Sequence, residues 1–120
     1  MENKKSFNMD PEDRKTVDVI KLLMPMKARP GMYLGSKSYE RLMIFLAGYA
    51  RGTNLYENSE VISWSNIQQD VWQRIEEHYT YQNWNNELPD DGKFDIYIDM
   101  IFAVFAEKYP EHARDLGISN

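Results

Sequence analysis

Apolar residues recur at helical spacing along most of this chain. Val17, Ile20, Leu23 and Met24 form one stripe, and Tyr39, Leu42, Met43, Phe45, Leu46 and Tyr49 cover a wider arc. Trp64, Ile67, Val71, Ile75 and Tyr79 form a third, with Gln68, Gln69, Arg74 and Glu76 turned outward. Steps of three and four residues bring side chains onto one side of an α-helix, so three helices are expected here. Their boundaries carry matching signals. Asp10-Pro11-Glu12-Asp13 offers a capping side chain, a proline at the first helical position and acids in the first turn. Ser36 or Ser38 can cap the second helix and Gly52 can end it, while the third should start around residues 59–63. Pro30 pushes the residues before it towards extended geometry, which closes the first helix.

The last major element, residues 94–109, has two periods at once. Phe94, Ile96, Ile98 and Met100 alternate with polar neighbours as in a strand, while Phe94, Ile98, Ile101, Phe102 and Phe105 fit a helix. Its length without a turn signal favours the helix, although the sequence leaves 94–100 open. Pro110 stops it. Residues 80–93 read as a long polar connection with Tyr81, Trp84 and Leu88 as anchors, the kind of segment where binding residues sit. The expected fold is mainly α, a single compact domain of four or five helices spanning residues 10–115. Residues 1–9 would be a flexible N-terminal arm and 116–120 a C-terminal tail. Trp64, Ile67, Val71, Ile75, Leu42, Phe45, Leu46, Ile101 and Phe105 are the expected core.

Composition narrows the class. The chain has 120 residues, enough for one domain with a real core, and 13% of them are aromatic. It has no cysteine, which excludes disulfides, thiolate metal ligands and thiol nucleophiles. No apolar segment resembles a signal peptide or a membrane span, so a cytoplasmic protein without membrane contact is expected. Charge is unevenly placed: residues 1–54 carry a net +4 and residues 55–120 a net −9, together the −5 of the chain. An excess of acid argues against direct nucleic-acid binding, which needs clustered Lys and Arg.

Residues 29–35, Arg29-Pro30-Gly31-Met32-Tyr33-Leu34-Gly35, are the most distinctive motif. The stretch resembles a loop of the ATPase domain of the DNA gyrase B subunit. The nucleotide-holding residues of that family are missing, because Glu40 has no Asn one turn beyond it and no Asp-x-Gly-x-Gly occurs. A second resemblance covers most of the chain: Arg29 to Gly35, Ser38, Leu42, Phe45 and Gly48, then Trp64, Trp84 and the helix of residues 94–109. In this order they resemble a group of small bacterial proteins that look like immunity proteins of toxin systems, including contact-dependent growth inhibition. The resemblance implies a non-enzymatic inhibitor whose partner is a cognate toxin domain. By its chemistry the heptapeptide reads as a turn. Pro30, Gly31 and Gly35 would bend the chain while Met32, Tyr33 and Leu34 plug the core.

The acidic half supplies the candidate surface. Glu76, Glu77, Glu87, Asp90, Asp91, Asp95 and Asp99 fall within 24 residues, among Tyr79, Tyr81 and Trp84, with only Lys93 and the weak base His78 near them. Asp91, Asp95 and Asp99 recur every helical turn, and like charges at that spacing repel by a few tenths of a kcal/mol. A solvated face of an acidic protein explains such a set; so does a basic partner, which carboxylates beside aromatic anchors would steer and hold. These ten residues are the candidate partner-binding set, and the favoured partner is a basic toxin domain, a nuclease above all. A calcium loop fails because Pro89 and Ile98 stand where oxygen ligands belong. No catalytic constellation, metal ligand set or cofactor site is expected. The alternative is a small regulatory or scaffolding domain that pairs with itself; a monomer or weak dimer is expected otherwise.

Overall fold

A computed structural model describes residues 11–52 and 63–118. The expected N-terminal arm (1–9) and the region where the third helix was to begin before residue 63 lie outside the described residues. Four long helices carry the fold: α1 (Pro11–Ala28), α3 (Tyr39–Gly52), α4 (Ser63–His78) and α5 (Asp90–Lys108). Short pieces join or end them: α2 (Pro30–Leu34), a π-helical turn (Asn83–Glu87) and α6 (Pro110–Leu116). No strand occurs among the described residues. The protein is a mainly α, single compact domain.

Helix α5 is the axle, packing against α1, α3, α4 and α6. Its Phe94, Tyr97, Ile98, Ile101, Phe102, Val104, Phe105 and Ala106 are all buried. Its exposed Asp91, Asp95 and Asp99 keep to one strip, and the apolar face that covers the rest is wide enough to match a strand period as well. Residues 94–100 are helical throughout. The expected core positions are buried except Phe45, which is half-buried against the core. Val19, Ile20, Leu23 and Met26 of α1 join them. Helix α1 runs through Pro25, whose side chain is exposed. The missing N–H there costs one ladder bond and no buried packing.

The starts follow the capping logic. Ser38 Oγ accepts the Arg41 N–H at 3.1 Å, so Ser38 is the cap of α3. Gly117 takes a left-handed conformation at φ 80° and closes α6 with bonds to Ala113 and Arg114. Ile118 then packs partly against the core rather than trailing away as tail.

Two expectations fail. Residues 29–35 form no core plug: α2 is a single helical turn, with Met32 67% and Tyr33 47% exposed. Consecutive side chains on a helix are about 100° apart, so a lone turn aims only one of these three inward. That one is Leu34, half-buried on the core. The turn ends at Gly35, φ 85°, whose N–H bonds Gly31 O at 3.0 Å. A Cβ there would collide with the Arg41 guanidinium, which donates to Leu34 O at 2.8 Å. The backbone angle disfavours any side chain at position 35, and one placed there would also push the Arg41 guanidinium aside.

Residues 80–93 are likewise not an open connection. The Thr80 hydroxyl accepts the Asn83 N–H at 3.0 Å, and Trp84 N bonds Thr80 O at 3.0 Å. Leu88 N then reaches back five residues to Asn83 O at 3.0 Å, the π-helical step. Asn83 Nδ2 donates to Glu87 Oε1 at 2.6 Å, and Asn85 Nδ2 to Tyr81 O at 2.9 Å. Polar side chains that looked like loop composition are spent on local hydrogen bonds that wind the segment. Helix α5 consequently starts at Asp90, four residues before its first buried aromatic.

Candidate functional site

The wound segment places Trp84 inward, 6% exposed, at the centre of a ring cluster. Its centroid lies 5.6 Å from Tyr39, 5.8 Å from Trp72 and 5.9 Å from Tyr79. Tyr97 of α5 completes the base, 5.5 Å from Tyr39 and 5.6 Å from Trp72. The Tyr39–Trp84 and Trp72–Trp84 pairs meet edge to face, at interplanar angles of 89° and 77°. That arrangement sets positive ring edges on negative ring faces, each pair adding about 1 kcal/mol beyond area burial. Trp84 is therefore a core residue whose indole forms the floor of a site, and the expectation of a surface anchor is corrected accordingly.

Above this floor opens a groove of about 540 Å³ between the start of α3, the end of α4 and the π-helical turn. Tyr39, Trp72, Ile75, Glu76, Tyr79, Thr80, Tyr81, Trp84 and Asn85 line it. Among the described residues no Lys, Arg or His lines it, and the one charged group is Glu76. Tyr81 stands at its edge, 82% exposed. Burial holds the Tyr39 phenol above its ordinary pKa, with a smaller contribution from Asp90 in the same direction. Lys93, which is not among the lining residues, places Nζ 5.6 Å from the Tyr39 centroid and 6.0 Å from that of Trp84.

All seven acidic candidates are exposed, but the fold does not treat them alike. Asp99 pairs with Lys27 at 2.7 Å and Asp95 with Lys37 at 2.8 Å, a hydrogen bond that raises the Lys37 pKa. Asp90 Oδ1 accepts the Glu40 N–H at 3.2 Å and so serves the first turn of α3. Glu87 accepts from Asn83. Glu76, Glu77 and Asp91 make no hydrogen bond or ion pair among the described residues. The acidic run of the sequence is thus partly neutralised by lysines of α1 and of the segment before α3, both far away in the chain.

Of the ten expected partner-binding residues, the groove brings together Glu76, Tyr79, Tyr81 and Trp84. It adds Tyr39 and Trp72, which the sequence reading left out. A signal for Trp72 was present, since Trp72, Ile75, Glu76 and Tyr79 follow one another at helical spacing beside the core stripe. No such signal existed for Tyr39, which reaches Trp84 only through the tertiary fold. Among the described residues no group of three or more His, Asp or Glu is placed to hold a metal ion. No helix among them is long and apolar enough to cross a membrane.

Fold and groove together define a class: a helical domain with an aromatic hollow whose one charged lining group is the Glu76 carboxylate. No protein-family model, curated protein or solved structure matches the chain.

Proposed function

We propose that this chain is a non-enzymatic binding domain that captures and neutralises a basic protein, an immunity protein for a cognate bacterial toxin, with a nuclease as the favoured target. One observation carries the reading. Glu76 and Glu77 stand exposed at the end of α4, without a hydrogen bond or ion pair among the described residues, and Glu76 lines an open groove of aromatic rings. Free carboxylates speed the approach of a cationic surface, and rings beside them supply the apolar contact that holds it. The resemblance of residues 29–35 and of the positions after them to toxin-immunity proteins points to the same class of partner.

The test is protection. Co-expression of this chain with the toxin domain encoded beside it should restore growth, and the purified pair should associate more slowly as salt rises. Charge reversal at Glu76→Lys and Glu77→Lys should cut the association rate about tenfold at low salt. Reversal at Asp95 and Asp99, already paired with lysines, should cost less. Absence of protection, or equal effects of the two double variants, overturns the reading.

The self-associating alternative has one observation in its favour, the 67% exposure of both Met32 and Ile44. It requires a concentration-dependent dimer in sedimentation or size exclusion.

A further inference from the structure

The chemistry of the groove defines the group that would enter it. Its walls are rings, and ring faces attract cations within about 6 Å of their centroids. The chain already exploits this: Lys93 Nζ lies over both Tyr39 and Trp84, from outside the lining. Inside, Tyr79 and Tyr81 stand at one wall and Glu76 supplies the negative charge, with no cation of the protein itself among the described lining residues. A volume of about 540 Å³ lies within the range of sites that enclose small ligands or whole side chains.

We propose that the groove receives an arginine side chain of the basic partner, so that the guanidinium stacks on Tyr79 and Tyr81 and faces the Glu76 carboxylate. This deepens the functional reading above and rests on it for the source of the arginine. Arginine fits better than lysine because its group is flat, weakly hydrated and able to stack on a ring while its N–H edge donates to a carboxylate. Charge complementarity selects the occupant. A neutral apolar side chain would leave Glu76 facing nothing, and an acidic one would be repelled.

The experiment uses the full chain and two pentapeptides that differ only at the central residue, arginine in one and citrulline in the other. Citrulline keeps the shape and loses the charge. Tryptophan fluorescence and the indole N–H resonances of Trp72 and Trp84 report occupancy. The arginine peptide should bind at least about fivefold tighter than the citrulline peptide. Glu76→Gln and Tyr81→Ala should each weaken the arginine peptide about threefold or more, with little effect on citrulline. Both side chains are exposed, so both variants should keep the helical circular dichroism of the parent. Equal affinity for the two peptides, no saturable shift with either, or indifference to both substitutions overturns the proposal. If the toxin is still neutralised while the arginine peptide fails, the groove proposal falls alone. If the arginine peptide binds and no toxin is neutralised, the functional reading falls and the groove stands.

Discussion

The α2 turn and the π-helical turn are both five residues long, and they reverse what their sequences advertise. Arg29-Pro30-Gly31-Met32-Tyr33-Leu34-Gly35 is the most distinctive stretch of the chain, yet it sends Met32 and Tyr33 into solvent and anchors itself through Leu34. Asn83-Trp84-Asn85-Asn86-Glu87 has the composition of an unremarkable polar loop, yet it drives Trp84 into the ring cluster and builds the groove wall. Distinctiveness in the first comes from backbone demands, a proline at the start and a glycine at positive φ. Importance in the second comes from one large side chain and the polar neighbours that aim it. A segment's contribution to the core follows from where its side chains point, and composition does not reveal that.

Three measurements can break or sharpen this contrast. The largest effect is expected for Trp84→Ala. It removes a buried indole that touches three other rings, and should cost about 3–5 kcal/mol by urea unfolding. A cost under about 1 kcal/mol would make the π-helical turn an ornament and the contrast void. Next, Gly35→Ala forces a side chain into a left-handed conformation and displaces Arg41 from the Leu34 carbonyl. It should cost about 1–2 kcal/mol, while the exposed Met32→Ser should change stability by less than about 0.5 kcal/mol. If Met32→Ser costs as much as Gly35→Ala, the heptapeptide packs more than its exposure implies.

The smallest effect is alkaline. Burial raises the folded-state pKa of Tyr39, so the fold favours the neutral phenol. Its contribution to stability is therefore complete below the unfolded pKa near 10 and is lost as pH rises through the higher folded value. Tyr39→Phe should flatten that part of the decline in urea midpoint between about pH 9 and pH 11. An identical slope in the variant would place Tyr39 in a wetter environment than the ring cluster provides.

The long helices were legible because each leaves a stripe: Trp64, Ile67, Val71 and Ile75 on α4, and Leu42 and Leu46 on α3. Their starts were legible where a hydroxyl caps, as Ser38 does. The central helix was ambiguous for a physical reason, since its apolar face is so wide that only a narrow strip, Asp91, Asp95 and Asp99, marks its period. The winding of residues 80–93 was hidden because Thr and Asn serve turns and helix ends alike, and only the bonds of Thr80 and Asn83 decide between them. Part of the groove was visible as Glu76, Tyr79, Tyr81 and Trp84, and helical spacing pointed to Trp72. Tyr39 was not visible, because it arrives from another helix. Charge was the least legible property: counting residues made Asp95 and Asp99 look free, and Lys37 and Lys27 answer them only in three dimensions.

The turn at Asn83–Glu87 closes over five residues where an ordinary α-turn closes over four. Removing a single residue there would let the segment rewind as regular helix and would rotate whatever follows by about 100° relative to what precedes it. The indole and the axle helix could then no longer both keep their places. This short stretch behaves as a length gauge: the places of the indole and of the axle helix fix how many residues it holds.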